Sequence, residues 1–188
     1  MLEHTDLKPR LRIVLNKEPY EVIETNYVFK GRGQSTTQAK LRNLITGKVI
    51  TKTFHAGDDI EEAEIERENI RFLYSKNNIF YFCSPNNPSQ RFELKKDILG
   101  TKANFLKQND TVTGIFFEEK LINIEMPLKI HLKVISAPPG IKGGRETPGT
   151  KPVILETGTE IQAPLFIEES DVIEVNTETG EYVRRVTQ

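Results

Sequence analysis

Short β-branched and aromatic runs, broken at close intervals by turn residues, fill most of this chain and commit it to strands. Arg12-Ile13-Val14-Leu15 and Tyr20-Glu21-Val22-Ile23 flank Asn16-Lys17-Glu18-Pro19, whose polar, proline-bearing composition reads as a hairpin connection. Alternation continues through Ala39-Lys40-Leu41-Arg42-Asn43-Leu44, a turn at Thr46-Gly47, and Lys48-Val49-Ile50-Thr51-Lys52-Thr53-Phe54. Successive strand side chains point to opposite faces, so Leu41 faces a core while Lys40 and Arg42 face outward. The pattern predicts a small barrel of about five strands.

The acidic run Asp58-Asp59-Ile60-Glu61-Glu62-Ala63-Glu64 reads as the exit from that barrel, a solvated linker with a boundary near residue 64. A second block runs through Asn69-Ile70-Arg71-Phe72-Leu73-Tyr74, a turn at Lys76-Asn77-Asn78, and Ile79-Phe80-Tyr81-Phe82-Cys83, followed by the turn Ser84-Pro85-Asn86-Asn87-Pro88. The segment 95–106 reads as helical, with Ile98, Ala103, Phe105 and Leu106 as buried positions and Gly100 as its weak point. Strands resume at 111–117 and 121–125, and short strands with one helical segment suit an oligonucleotide-binding type of barrel. A third block opens with Lys129-Ile130-His131-Leu132-Lys133-Val134. Residues 137–152 hold four prolines and four glycines, too many breakers for a strand, and read as a mobile or binding loop. Val153-Ile154-Leu155, Glu160-Ile161-Gln162-Ala163, Val172-Ile173-Glu174-Val175 and Glu181-Tyr182-Val183 complete it. The expectation is an all-β chain of three small barrels, over residues 1–64, 65–128 and 129–188.

With 37% hydrophobic and 28% charged residues the composition is that of a soluble globular protein. No apolar run approaches the roughly 18 residues of a membrane helix, and Met1-Leu2-Glu3-His4-Thr5-Asp6 lacks the basic start and apolar run of a signal peptide. A cytoplasmic protein without membrane contact is expected. Cys83 stands alone, which excludes an intrachain disulfide, and His4, His55 and His131 show no ligand spacing, so no metal site is expected. Motifs for an activated serine, a phosphate-cradling loop or a zinc protease are missing, and Glu61-Glu62, Glu118-Glu119 and Glu168-Glu169 read as solvated surface. The chain is read as having no catalytic residue and no cofactor.

Charge is the informative asymmetry. Net charge is −1, yet residues 1–57 carry ten Lys and Arg against five acids, and residues 58–68 carry seven acids and one arginine. Within 25–57 there are six basic side chains and no acid. At their centre lies Lys30-Gly31-Arg32-Gly33-Gln34, where two glycines tolerate a tight turn and Arg32 projects from it. Guanidinium forks to phosphate and stacks on bases. With Lys30, Lys40, Arg42, Lys48 and Lys52 nearby in sequence, the tip reads as an RNA finger.

Specific segments carry a resemblance. They are Leu11, Asn16-Lys17-Glu18-Pro19-Tyr20, Gly31, Gly33, Gln34, Lys40-Leu41-Arg42-Asn43-Leu44, Thr46-Gly47 and Lys52-Thr53-Phe54 at one end. At the other are Pro139-Gly140-Ile141-Lys142-Gly143, Lys151, Gly158, Pro164-Leu165-Phe166-Ile167, Asp171, Thr179-Gly180-Glu181-Tyr182-Val183 and Arg185-Val186. Over essentially its whole length the chain resembles the bacterial elongation factor P family. That resemblance implies a KOW/SH3-like barrel followed by two OB-fold barrels in an L-shaped, tRNA-like arrangement. It implies a monomeric elongation factor that binds the 70S ribosome between the P and E sites, touches peptidyl-tRNA and ribosomal RNA, and promotes peptide-bond formation at consecutive-proline stalls. It also places Arg32 at the modification-loop tip with Lys30, Gly31, Gly33 and Gln34 in support. RNA contacts fall at Lys40, Arg42, Lys48 and Lys52, and at Lys142, Gly143, Gly144, Arg145, Tyr182 and Arg185.

Departures from the family pattern are local. Lys30 stands where proline is common and Arg32 where a modified lysine is common, which removes a lysine-specific modification. Another branch of the family carries a rhamnosylated arginine at the tip, so an arginine rhamnosyltransferase acting on Arg32 and an unmodified guanidinium both stay open. Gly143-Gly144-Arg145 replaces a usual Gly-Asp-Thr, Val153, Ala163 and Ser170 replace alanine, valine and glycine, and Glu178 replaces an arginine. The loop change leaves room for an alternative, a ribosome- or RNA-binding paralogue with a regulatory role not specific for polyproline.

Overall fold

In the computed structural model, which describes residues 2–29, 35–139 and 149–186, the chain is all-β, as the strand rhythm predicts. Strands β1 (Arg12–Leu15), β2 (Glu18–Val28), β3 (Thr36–Asn43), β4 (Val49–His55) and β5 (Glu61–Glu62) form a first sheet in the order β4-β3-β2-β1-β5. A middle sheet has the order β10-β9-β6-β7-β8, from β6 (Ile65–Lys76), β7 (Ile79–Cys83), β8 (Arg91–Lys95), β9 (Thr111–Phe117) and β10 (Lys120–Glu125). The last sheet, β13-β12-β11-β14-β15, uses β11 (Lys129–Ser136), β12 (Thr150–Leu155), β13 (Glu160–Pro164), β14 (Val172–Asn176) and β15 (Tyr182–Arg185). Among the described residues no helix is long and apolar enough to cross a membrane.

Two compact units emerge: Met1–Asn69 with Phe92–Leu94 and Thr113–Ile124, and Ile70–Arg91 with Lys95–Val112 and Glu125–Gln188. In the first unit, alternation along β3 buries Thr37, Ala39, Leu41 and Asn43, and Ala39 and Leu41 join a core with Ile13, Tyr20, Val22, Phe54 and Ile60. Asn43 does unusual work for a buried amide. Its Oδ1 accepts from the N–H of Ile45 (2.9 Å) and Thr46 (2.8 Å), and its Nδ2 donates to Glu18 (2.6 Å). With the Gly47 N–H donating back to the Asn43 carbonyl, and Gly47 at φ 73°, the β3–β4 turn is closed on every side.

In the second unit, the last sheet does not enclose its core from its own strands alone. A four-residue helix, α1 (Lys96–Leu99), runs into a 3-10 turn at Gly100–Phe105, and Phe105 inserts among Leu132, Val134, Val153, Leu155, Ile167 and Ile173. The Thr159 hydroxyl donates to the Asn104 carbonyl at 2.6 Å, and Lys107 pairs with Glu156 at 2.6 Å. Gly180, at φ 77°, lies so close that a Cβ there would stand 3.3 Å from the Thr101 methyl.

Several sequence expectations change here. The first hairpin turns on Asn16-Lys17 alone, because both adopt left-handed φ (53° and 64°), which lets Glu18 and Pro19 pair with Leu15 and Val14. The acidic run is no linker: Ile60 and Ala63 are buried and Glu61–Glu62 pairs with β1, while the carboxylates themselves stay exposed. The helical segment breaks at Gly100 (φ 57°), and Leu99 rather than Ile98 is buried, since helix and 3-10 turn present different faces. Strand β8 carries too weak an alternation to be read. Thr150-Lys151-Pro152 belongs to β12 rather than to a loop, because Lys151 is buried with its ammonium donating to the Pro138 carbonyl at 2.7 Å.

Glu118-Glu119 forms the β9–β10 turn with φ of 47° and 62°, a conformation that suits Asn-Gly and strains glutamate. Together with Glu61, Glu62, Glu64 and Glu66 the two line a cleft of about 360 Å³ beside Val14, Phe116 and Phe117, so like charges add to the strain. Replacing the pair by Asn-Gly (Glu118→Asn with Glu119→Gly) is expected to raise stability by about 1 kcal/mol. Urea unfolding checks this: the midpoint should rise at unchanged slope, and an unchanged or lower midpoint refutes it.

Candidate nucleic-acid interface

The ladder between β2 and β3 runs from Tyr20 opposite Asn43 to Val28 opposite Thr36, and the segment predicted as the tip connects its far end. A bulge between Val22 and Glu24 leaves Ile23 unpaired. An inserted residue exchanges the two faces of a strand. Before the bulge Tyr20 and Val22 point to the core. After it Thr25 and Tyr27 share a face with the buried Ala39 and Thr37, while Glu24 and Asn26 lie opposite Lys40 and Gln38 on the outer face.

The predicted tip, Lys30, Gly31, Arg32, Gly33 and Gln34, lies outside the described residues, as do Lys142, Gly143, Gly144 and Arg145. The remaining cations of the first sheet do not form one cluster. Lys40 and Arg42 share the outer face, and Arg42 Nη2 is already paired with Glu21 at 2.7 Å, so part of its charge is answered within the protein. Lys48 is exposed in the β3–β4 turn. Lys52 pairs with Ala39 and therefore lies on the other face, its ammonium 5.1 Å from the centre of the Phe54 ring.

What sequence reading passed over are the aromatics that flank the tip. Phe29 is 70% exposed and Tyr27 52% exposed, in a segment where apolar area would ordinarily be covered. Tyr27 stacks on the buried His4 ring at 6.3 Å, and His4 Nε2 shares a 3.0 Å hydrogen bond with the Ser35 hydroxyl, at the return root of the tip. The N-terminal segment thus braces the base of the hairpin. Aromatic faces beside cations are the usual platform for unstacked bases, and the signal was present in Asn26-Tyr27-Val28-Phe29 as odd-numbered aromatics.

In the last sheet Tyr182 packs partly buried against the core, and Arg185 Nη2 is paired with Asp171 at 2.9 Å. Its neighbour Arg184 reaches the opposite side, to Glu174. One oxygen of that glutamate receives Arg184 Nε (3.2 Å) and Nη2 (3.0 Å) and lies 3.3 Å from His131 Nε2, while the other accepts no hydrogen bond and has Lys129 Nζ 3.4 Å away as an ion pair. The Arg184 hydrogen bonds hold its carboxyl below the usual range against the opposing effect of burial, with His131 and Lys129 helping. Among the described residues no group of His, Cys, Asp and Glu is arranged to hold a metal ion.

Comparison with known proteins gives matches along the whole chain. Residues 3–60 match the elongation factor P KOW-like domain, 65–124 the elongation factor P OB domain, and 130–185 the elongation factor P C-terminal domain. Elongation factor P of Carboxydothermus hydrogenoformans is 41% identical over 186 residues, covering 99% of this chain and all of that one. That of Desulfotalea psychrophila is 38% identical over 188 residues, covering both chains completely. Among solved structures, eukaryotic translation initiation factor 5A from Methanococcus jannaschii aligns with a TM-score of 0.53 at 13% identity, covering 66% of this chain and 90% of that one, which is a likeness of fold.

The lowered pKa of Glu174 has a consequence for acid stability. A carboxylate with a depressed folded value stabilises the native state fully above its ordinary 4.5, and that contribution is lost as pH falls through the folded value. Glu174→Gln is expected to melt lower than wild type at neutral pH, with the two melting temperatures converging below pH 4.5. Circular dichroism melts across pH check this, and a gap that persists in acid refutes it.

Proposed function

We propose a role that starts from one fact: this chain belongs to the elongation factor P family of translation elongation factors. It acts as a cytoplasmic monomer that binds the ribosome between the peptidyl and exit sites and promotes peptide-bond formation when consecutive prolines stall it. The observation that carries this reading is Gly31-Arg32-Gly33 at the far end of the β2–β3 ladder, in a stretch without acids. A cation in the segment that follows Tyr27 and Phe29 in sequence suits the acceptor end of peptidyl-tRNA and the ribosomal RNA around it.

The mechanism is one of positioning. Prolyl substrates react slowly, and a factor that holds the acceptor end in a reactive geometry lowers the entropic part of the barrier while the ribosome performs the chemistry. Lys40, Arg42, Lys48 and Lys52, on both faces of the first sheet, supply phosphate contacts in the first block, and Lys142, Gly143, Gly144, Arg145, Tyr182 and Arg185 supply RNA contacts in the third. The working division into barrels is 1–64, 65–128 and 129–188. Arg32 is the site for a rhamnosyltransferase if the host carries one, and intact-mass measurement of native protein reads this directly.

The test is a polyproline reporter translated without the factor, with it, and with Arg32→Ala. Wild type is expected to raise the yield and Arg32→Ala to return it most of the way to the level without factor. Equal yields in all three refute the role, and ribosome binding without a polyproline effect favours the regulatory reading that the Gly143-Gly144-Arg145 departure suggests. Phe29→Ala, which removes an exposed side chain, is expected to leave the melting temperature unchanged and to weaken the reporter effect several-fold, because one base stack contributes about 1–3 kcal/mol.

A further inference from the structure

We infer that the outer face of β11, β14 and β15 is a docking surface for the phosphate backbone of RNA, with Lys129, His131 and Arg184 as its contacts and Glu174 as the group that holds them in place. The inference rests on the reading of the chain as a ribosome-binding factor and adds a surface to it.

Register brings the four residues together. Glu174 lies on β14, directly opposite His131 on β11 and Arg184 on β15, and Lys129 stands two residues before His131 on the same face. Burial then separates their roles. The Glu174 side chain is 5% exposed, while those of Lys129, His131 and Arg184 are 54%, 55% and 69% exposed. The carboxylate is underneath and the cations are on top. The two permanent positive charges of Lys129 and Arg184 answer one buried negative charge, so the face carries an excess of positive charge on a chain whose net charge is −1.

Arg184 donates to Glu174 through Nε and Nη2, which leaves Nη1 and the second Nη2 hydrogen directed away from the carboxylate. A guanidinium edge of that kind takes a phosphate in a fork. Clamping also removes in advance much of the rotamer freedom that long cationic side chains otherwise lose on binding. Lys133, exposed and on the same face, extends the β11 row toward Glu156, whose charge Lys107 already answers. Same-face residues on a strand are about 6.8 Å apart, comparable with the separation of successive phosphates along a nucleic-acid strand. Arg185 does not belong to this face, since register places it opposite the core residue Ile173.

The test compares the full chain with the triple variant Lys129→Gln, His131→Gln, Arg184→Gln, and with Lys76→Gln as a control cation elsewhere. A fluorescein-labelled single-stranded RNA, polyglutamate and 70S ribosomes serve as probes across a salt series. The triple variant is expected to bind the RNA at least tenfold more weakly, with the slope of log affinity against log salt reduced by about 1.4, as the loss of two permanent positive charges requires at about 0.7 each. Lys76→Gln should move neither. Unchanged RNA affinity and slope in the triple variant overturn the inference, as does a loss seen with polyglutamate and absent with RNA. If the triple variant is unfolded by its melt, acetylation of Lys129 in wild type decides: several-fold protection by RNA supports the surface, and equal labelling overturns it. Failure of wild type to bind ribosomes at all refutes the proposed function instead, so the two failures are told apart.

Discussion

The first unit depends on the ladder between β2 and β3. Its pairing from Tyr20–Asn43 to Val28–Thr36 both closes the core and projects the chain beyond it, and a single extra residue at Ile23 lets one strand do both. Up to the bulge the core-facing Tyr20 and Val22 are even-numbered. Past it the inward residues are odd-numbered, which moves Tyr27 to the side of Thr37 and leaves Lys40 and Arg42 on the reverse. The bulge therefore sorts aromatic from cationic side chains across the thickness of one hairpin. Rigid backbone hydrogen bonding up to Val28 means that whatever the tip meets, it meets from a fixed root.

Buried polar groups supply the second constraint. Asn43 directs the β3–β4 turn by answering two backbone N–H groups and one carboxylate at once, and Glu174 gathers Lys129 and His131 from one neighbouring strand and Arg184 from the other. Each is stabilising only while its partners stay in place, since a buried polar atom without them is costly. Such groups make the local geometry all-or-none. An apolar residue at either position would pack, but would leave the turn or the row of cations without instructions.

Sequence alone disclosed the strand rhythm, the all-β class and the face to which Leu41, Lys40 and Arg42 belong, because period-two alternation is local and strong in β3. It did not disclose the bulge at Ile23, since an unpaired residue is visible only against a partner strand. The same reason hid β5: Glu61-Glu62 looks like solvent-exposed linker, and its pairing with β1 is decided by Ile60 and Ala63 on either side. Lys151 and Pro152 argued against a strand by propensity, and tertiary context overrode both, through a carbonyl at Pro138 that receives the buried ammonium. The Glu174 cluster was invisible for a further reason. Its members are far apart along the chain, Lys129 and His131 against Glu174 and Arg184, and only sheet register joins them.

Phe105 gives the last sheet a dependence that its strand order conceals. The ring comes from the 3-10 turn Gly100–Phe105, ahead of β9, β10 and every strand of the sheet it fills, and it is 1% exposed there. A fragment beginning at Lys129 would contain all five strands and lack the side chain at their centre, a loss on the order of 3–5 kcal/mol for a buried phenylalanine. The C-terminal block is thus no detachable cassette. Recombination that exchanged it between relatives at its own first strand would have to find a Phe105 of compatible size and angle already waiting in the recipient, so inheritance of this end of the molecule is tied to inheritance of the segment before it.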